Sequence, residues 1–283
     1  MRVVTMPVAG SLGAGTGAMM ACPRRQQAAA ASRAVIVEVF GPAGAGKTTF
    51  AAALHRALQS SGSRSEFFSS ARPAEPTAHR DGMERRMRHT VLAPLSRAAK
   101  VFGAVADLGA EDPVGTQLLA LFPGRSRMSY LRHRRYLARL HRACSATHPP
   151  GTALILDQGY LSALCSLAAR FGLAQAPAAM PLLARAVDLV PSPDLVVWVQ
   201  TPGPVVRDRL ERRLTAQSRV ERLFELDMAT LMDQARLAEA VCQLLRARAC
   251  PIVQVRGLAP PGDEGDVRIA ADALATLAAE YVS

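Results

Sequence analysis

A short apolar run that leads directly into a glycine-rich turn, residues 34–49, constrains the fold of this chain more than any other stretch. Residues 34–40 (AVIVEVF) are rich in β-branched side chains, which predicts a buried strand. Residues 41–49 (GPAGAGKTT) match the spacing G-x-x-x-x-G-K-S/T at every position. Residues 50–59 contain neither proline nor glycine, so a helix should begin near Thr48. A fortuitous turn rich in glycine and alanine is the alternative interpretation, but it does not account for the flanking strand and helix.

The residue types of this loop suit the polyphosphate of ATP. Its glycines allow backbone conformations that turn successive N–H groups inward, and the N-terminus of the following helix adds partial positive charge. Lys47 is expected to reach the β- and γ-phosphates, and the Thr48 hydroxyl to bind Mg²⁺. Lys47 and Lys100 are the only lysines, which indicates that the loop requires a lysine for its chemistry. The predicted ATP-binding residues are Gly41, Pro42, Ala43, Gly44, Ala45, Gly46, Lys47, Thr48 and Thr49.

The composition narrows the class of protein. No apolar run approaches the ~20 residues of a membrane span, and the hydrophobic content of 49% is ample for the core of an α/β domain. The five cysteines are scattered and lack C-x-x-C spacing, which argues against a disulfide framework or zinc site and favours a cytoplasmic protein. The net charge of +11 fits either a nucleic-acid partner or an enzyme that handles ATP and a second anion. Residues 1–33 contain no acidic side chain and are predicted to form a disordered extension.

A second chemical signal lies at Asp157. Residues 152–156 (TALIL) predict another buried strand, and a helix is predicted over residues 161–171. A carboxylate at the end of such a strand can approach Mg²⁺ or activate the attacking group in phosphoryl transfer. An aspartate after a strand is otherwise a turn former or a helix cap. Because the phosphate-binding loop precedes it, we place Asp157 near the γ-phosphate and, with Thr48, at the metal.

The remaining elements are predicted from their apolar patterns. Further strands are expected over residues 65–69, 194–200 and 251–255, with Trp198 in the core. Helices are predicted over residues 81–108, 125–144, 178–190 and 205–214, then from 219 through 249 and from 266. Residues 111–113 are expected to be a linker, 117–122 a short apolar segment and 215–218 a polar break.

Arginines cluster on two of the predicted helices. The helix over 125–144 places Tyr130, Leu131, Leu137 and Leu140 at helical spacing, and its other face carries Arg132, Arg134, Arg135, Arg139 and Arg142. That face is either solvated or contributes one or two arginines to an anionic acceptor. The arginines between the helices over 205–214 and 219–249 suit a mobile lid over a triphosphate, and a solvated helical hairpin is the alternative. Arg72 lies in the loop after the second predicted strand, where acceptor contacts are also expected.

This layout resembles the nucleoside-monophosphate-kinase group of P-loop kinases, and most closely the thymidylate kinase family. The resemblance is carried by residues 41–49, by the strand and aspartate at 153–157, by PDLVVWVQTPGPVVRDRLERR at 193–213 and by residues 219–221. It implies a three-layer α/β P-loop NTPase fold over residues 34–283, with a five-stranded parallel sheet flanked by helices and the base of ATP near residues 257–265. It also implies a helical acceptor-binding part at about 72–150 and a helical lid at about 207–222. The arginines it places on or beside that lid, in catalytic roles, are Arg209, Arg213 and Arg219.

The sequence departs from this family beside Asp157. Thymidylate kinases follow the aspartate at the strand end with an arginine that helps to hold the acceptor phosphate, and this chain has Gln158 there. Two classes of acceptor are therefore open: a nucleoside monophosphate, or a molecule that offers a neutral hydroxyl group, such as a nucleoside or a sugar. The candidate substrate contacts are Arg72, Arg127, Arg132 and Gln158.

The sequence thus predicts an ATP- and Mg²⁺-dependent phosphotransferase that acts on a small-molecule acceptor. Lys47 would stabilise the transferred charge, and Asp157 would orient the metal shell or take the acceptor's proton. Two other classes stay open, namely a regulatory NTPase without an acceptor and an ATPase linked to nucleic acid. Scarce lysines and aromatic residues count against nucleic acid. The sequence predicts no membrane partner, and a homodimer is compatible with it.

Overall fold

A computed structural model describes residues 34–69, 112–123, 127–176, 179–216, 227–256 and 264–282, and the statements below concern these residues. The strands are β1 (Val35–Phe40), β2 (Ser65–Phe68), β3 (Ala153–Leu156), β4 (Leu195–Gln200) and β5 (Ile252–Arg256). The helices are α1 (Lys47–Ser60), α2 (Pro113–Leu121), α3 (Arg127–Ser145), α4 (Tyr160–Phe171), α5 (Ala179–Leu189), α6 (Gly203–Ala216), α7 (Met228–Ala247) and α8 (Glu264–Val282).

The five strands form one all-parallel sheet with the order β2-β3-β1-β4-β5. The central strand β1 pairs with β3 and β4, with Glu38 opposite Leu156 on one side and Val196 on the other. Because all strands run the same way, the segments that follow β1, β3 and β4 meet at one edge of the sheet. In sheets of this kind, ligands bind outside the carboxyl ends of the strands.

Each face of the sheet packs against its own layer of helices. On one face, the valines of β1 pack with Phe50 and Leu54 of α1 and with Ala270 of α8. On the other face, α4, α5 and α7 complete a larger core, which also contains buried residues of α2 and α3. Trp198 is 3% exposed and belongs to this second core, as predicted. The predicted architecture, a five-stranded parallel sheet flanked by helices, is confirmed.

Four local predictions are wrong at their boundaries. Residues 111–113 are not simply a linker, because Pro113 begins α2 and the Asp112 carboxylate accepts a hydrogen bond from the Gly115 amide at 2.8 Å. The predicted polar break begins too early, because α6 continues through Ala216. The predicted helix over 219–249 is not continuous, because α7 begins at Met228, where Asp227 caps it by accepting from the Thr230 amide. Residues 219–226 lie outside the described part of the chain. Helix α7 itself also ends early. Its helical residues end at Ala247 rather than at 249.

The apolar face predicted for α3 is half correct. Leu137 and Leu140 are fully buried, but Tyr130 and Leu131 are 37% and 44% exposed. Both exposed residues lie near the beginning of the helix, while the buried pair lies where α3 packs against α2 and α4. The predictions for residues 1–33, 72–108 and 217–226 fall outside the described residues.

The described cysteines, Cys144, Cys165, Cys242 and Cys250, are free thiols. In the part of the chain that is described, no helix combines the length and the apolar character that crossing a bilayer requires.

Replacing Gly41 by alanine should lower the free energy of unfolding by about 3 kcal/mol, because two penalties combine. Gly41 has φ = 149°, and a Cβ there would lie 2.6 Å from the backbone oxygen of Val199 in the neighbouring strand. Gly62→Ala is the matched control, because Gly62 also has a positive φ, of 79°, but no atom within 4 Å of the added Cβ. Urea unfolding followed by Trp198 fluorescence measures both variants. Equal losses in the two would contradict the predicted clash with β4.

Candidate functional site

The phosphate-binding loop has a conformation that depends on its glycines. Gly41, Gly44 and Gly46 all have positive φ, at 149°, 78° and 93°. Gly46 is also the N-cap residue of α1, so the free amides of the first helical turn lie at the end of the loop. This combination of inward-turned backbone and helix N-terminus forms an anion-binding cradle.

Lys47 lies over this cradle. Its Nζ donates hydrogen bonds to the carbonyl oxygens of Gly41 at 2.9 Å and Pro42 at 2.7 Å. The side chain therefore folds back onto the first residues of the loop, and its ammonium group is held at the loop backbone. A point charge held here is suited to the terminal phosphates of a bound polyphosphate.

The structure brings together Thr48 and Asp157, the two residues that the sequence analysis assigned to a metal. The Thr48 hydroxyl donates to Oδ1 of Asp157 at 2.9 Å. Asp157 is 1% exposed, and its backbone N–H donates to the carbonyl of Phe68 at the end of β2. The carboxylate thus lies next to the first turn of α1, at the edge of the sheet where β1 and β3 end. Its predicted roles at the metal or as a base remain predictions.

These two side chains fit a magnesium ion. Mg²⁺ prefers oxygen ligands and is commonly held by one or two protein groups together with substrate phosphates and waters. The Thr48 hydroxyl and the Asp157 carboxylate supply two oxygens beside the cradle. Among the described residues, no cluster of three or more histidine, cysteine, aspartate or glutamate side chains could hold a metal by itself.

Glu38 is the main residue of this region that the sequence analysis missed. It lies in β1 between Ile36 and Phe40, which belong to the core on the face that α4 covers, and it is 1% exposed. Its Oε1 accepts from the amides of Gly159 at 3.1 Å and Ser162 at 3.0 Å, and its Oε2 from that of Leu161 at 3.2 Å. A buried carboxylate thus caps the N-terminus of α4.

The pKa of Glu38 is raised to about 7, because burial outweighs the three amide hydrogen bonds that favour the charged form. Burial also raises the pKa values of Tyr136 and Cys165, and the negative charge of Glu38 is the second-largest cause of both increases. Both neighbours therefore stay protonated over the range in which Glu38 titrates.

Stability should fall with rising pH on account of Glu38. The folded state binds the proton more tightly than the unfolded state, so this contribution is complete below the ordinary pKa of 4.5 and is lost as the pH rises through about 7. The loss is on the order of 3 kcal/mol. Between the two pKa values, the free energy of unfolding of wild type should therefore fall by this amount relative to that of Glu38→Gln. Urea unfolding of both proteins at several pH values measures it, and parallel pH profiles would contradict it.

Helix α6 and the residues before it contact the phosphate-binding loop. The Thr201 hydroxyl donates to the Ala45 carbonyl at 3.0 Å, and a guanidinium nitrogen of Arg209 donates to the Gly44 carbonyl at 3.3 Å. Val206 and Leu210 of α6 form a small core with Leu231 of α7, against which Ala43 packs. Of the three predicted lid arginines, Arg209 therefore contacts the loop, while the side chain of Arg213 and all of Arg219 lie outside the described residues.

Helix α3 contacts the ends of the neighbouring strands β2 and β3. The Tyr136 hydroxyl donates to the backbone carbonyl of Gln158, and the Arg139 guanidinium lies 5.6 Å from the centre of the Phe68 ring. Arg127 and Arg132 are exposed, and their predicted contact with an acceptor remains a prediction. Arg72 lies outside the described residues. Tyr136, which the sequence analysis did not single out, lies one helical turn after Arg132 in the arginine-rich helix.

Comparison with known proteins gives a fold likeness only. No protein-family profile matches the chain. No curated protein matches it either. Two solved structures of deoxyadenosine kinase from M. mycoides, one with bound dCTP and one with bound dATP, are similar to it at 14% sequence identity, with TM-scores of 0.41 and 0.40. Each comparison covers 85% of this chain and 99% of the other. At this identity and score, the likeness carries no information about the substrate of this chain.

Proposed function

We propose that this protein is a P-loop kinase that transfers the γ-phosphoryl group of Mg-ATP to a small acceptor. One observation carries the proposal. The glycine-dependent cradle, the Lys47 ammonium above it and the Thr48–Asp157 pair at 2.9 Å lie together at the carboxyl edge of the sheet. Phosphoryl transfer needs little covalent chemistry from a protein, and positioned charge of this kind supplies most of its catalysis.

Each residue has a distinct part in the proposed reaction. An oxygen of the acceptor attacks the γ-phosphorus, and the bond from that phosphorus to the bridging oxygen breaks, so that ADP leaves with the electron pair. Lys47 and the loop amides stabilise the charge on the phosphate oxygens. Thr48 and Asp157 would hold Mg²⁺, which would neutralise part of the same charge. Asp157 also accepts the acceptor's proton or orients the metal shell.

The acceptor is proposed to bind beside Gln158, where α3 reaches the sheet edge. A thymidylate kinase-like acceptor phosphate would need a cation near Gln158. Arg139 of α3 lies close to the end of β2, next to β3, and Arg132 lies one turn before Tyr136. A neutral hydroxyl acceptor would need no such cation. Both classes of acceptor are therefore included in the test, and Arg209, Arg213 and Arg219 are proposed to close over the reaction.

The test is a screen for acceptor-dependent formation of ADP. Nucleosides, nucleoside monophosphates, sugars and aminoglycoside-like alcohols are each added to protein and Mg-ATP at low and high salt. We expect one acceptor class to raise the rate of ADP formation at least about tenfold over the rate without acceptor. An ATPase rate that no acceptor changes would favour the regulatory NTPase. A rate that nucleic acid raises, with steep salt dependence, would favour the nucleic-acid-linked ATPase.

Binding of the nucleotide can be followed separately from turnover. Trp198 is the single tryptophan of the chain, and its ring centre lies 5.3 Å from that of Phe40, which directly precedes the loop. We expect its fluorescence to change saturably on addition of Mg-ATP. The absence of both a fluorescence change and calorimetric heat at millimolar Mg-ATP would contradict the proposed function.

A further inference from the structure

We propose that Glu38 is a positioning residue, which holds the segment that carries Asp157 at a set distance from the phosphate-binding loop. This inference rests on the proposed function. Glu38 lies in the strand that leads directly into the loop, and its carboxylate binds the amides of Gly159, Leu161 and Ser162. Gly159 lies two residues after Asp157 in the chain. One carboxylate therefore links β1 to the segment on which the Thr48–Asp157 contact depends.

The origin of this helix cap supports the inference. The amides of Leu161 and Ser162 are the second and third of α4, the ones that a side chain at the N-cap position usually satisfies. Here the N-cap residue is Gly159, which has no side chain, and the acceptor comes from a strand more than a hundred residues earlier. A local cap would stabilise α4 equally well, but it would not join the helix to the strand of the loop.

The cap also leaves Asp157 available for other contacts. An aspartate just before a helix could itself accept from the free amides of the first turn. In this protein three amides at the start of α4 donate to Glu38, and the Asp157 carboxylate accepts from Thr48 instead. Two more hydrogen bonds hold the backbone of this segment. The Asp157 amide donates to the Phe68 carbonyl, and the Tyr136 hydroxyl donates to the Gln158 carbonyl.

Burial of this carboxylate is costly, which argues against a purely stabilising role. Glu38 occupies a position in the central strand whose neighbours on the same face, Ile36 and Phe40, are apolar. An apolar side chain here would avoid the desolvation of a carboxylate. The acidic residue is therefore better explained by the contacts it makes than by the stability of the sheet.

Gly159 is matched to this carboxylate. Its φ of −100° is open to any residue, so its backbone conformation does not require glycine. A Cβ on residue 159, however, would lie 2.3 Å from both the Glu38 carboxyl carbon and its Oε2. The space that a side chain would occupy is already taken by the Glu38 side chain. The two positions should therefore be coupled in a way that a double-mutant cycle can measure.

The first experiment compares Glu38→Gln with wild type in steady-state kinetics and in magnesium titrations. Glutamine keeps the shape but replaces one acceptor oxygen with a donor, so at least one of the three amides loses its partner. We expect kcat to fall about 10-fold. The Mg²⁺ concentration that gives half-maximal activity should rise by a similar factor, as is typical when a group that orients metal ligands is removed. The KM for ATP should change less than about twofold, since the loop itself is unaltered.

Asp194→Asn is the matched control. The Asp194 carboxylate also accepts from an amide of β1, that of Ile36 at 2.8 Å, but at the end of the strand remote from the loop. It should alter stability without changing kcat or the Mg²⁺ dependence. Equal kinetic effects of the two variants, or no kinetic effect of Glu38→Gln in a folded protein, would overturn the positioning role.

The second experiment needs no turnover, because it measures stability alone. Gly159→Ala should strongly destabilise wild type, whereas the same change in a Glu38→Ala background should cost much less, because the colliding atoms are gone. Equal costs in both backgrounds would show that the Glu38–Gly159 contact does not exist and would overturn the inference. If wild type failed to bind Mg-ATP while this coupling was present, the proposed function would fail, and the kinetic role of Glu38 with it, but the structural link would stand.

Discussion

Replacing Lys47 by alanine is expected to reduce kcat/KM for acceptor-dependent ADP formation by about 10³-fold, or ~4 kcal/mol of transition-state stabilisation. The ammonium group lies above the cradle, on the Gly41 and Pro42 carbonyls, where the terminal phosphates are proposed to bind. Charge on the phosphate oxygens changes during transfer, so the loss should fall mainly on kcat. The KM for ATP should rise less, because the loop amides still bind the phosphates. Steady-state kinetics with the acceptor found in the screen measures both.

Arg56→Ala is the control for this prediction. Arg56 lies on the same helix and is exposed, and its Nε donates to the Ala52 carbonyl within that helix. Its removal changes the net charge by the same amount but should leave both constants within about twofold. A Lys47→Ala variant that turned over ATP and acceptor as fast as wild type would contradict the assignment of the loop.

The elements around the loop could be predicted because their signals are local. The glycine spacing of residues 41–49 and the apolar run before it are contiguous in the chain, and the structure shows β1 ending at Phe40 and α1 beginning at Lys47. The proximity of Asp157 to Thr48 was also predictable, although the two residues are 109 positions apart. In a parallel sheet, the carboxyl ends of neighbouring strands meet at one edge, so two strand-end residues can be placed together once both strands are recognised.

Glu38 could not be predicted in this way. An isolated glutamate in an apolar strand gives no local indication of its partners, and the amides it binds lie 121 to 124 residues further along the chain. Gly159 was equally uninformative, since its backbone angles do not require glycine and only the packed structure shows what fills the space above it. The Tyr136 contact likewise depends on how α3 crosses the sheet edge, which the helical pattern of its sequence does not determine.

Two of the boundary errors had signals that could have been used. Asp112 directly precedes Pro113, and an N-cap side chain followed by proline is a typical helix start. Asp227 likewise precedes the residues that form the first turn of α7. In both cases the capping aspartate, rather than the composition of the segment, marks where the helix begins. Residue composition and propensity alone do not set where a helix begins.

Replacing Asp157 by asparagine should lower kcat by about 10²-fold or more, since it removes the group proposed to act as base or metal ligand. Asparagine has nearly the same size and keeps an oxygen that can accept from the Thr48 hydroxyl, so the fold and the contact at 2.9 Å should survive. Affinity for ATP without Mg²⁺ should stay the same or increase, because a buried negative charge near the phosphates is lost. Opposite changes in turnover and in metal-free binding would identify the charge, rather than the shape, as the functional property.

Asp208→Asn is the control for this comparison. It makes the same change of charge on α6, where the Asp208 carboxylate pairs with Arg212 at 3.0 Å on the exposed side of the helix. Exposed pairs of this kind contribute little to stability, so neither turnover nor ATP binding should change measurably. If Asp157→Asn behaved like this control, Asp157 would be a structural residue of the turn after β3. Phosphoryl transfer would then depend on the loop, Lys47 and another group at the same edge of the sheet.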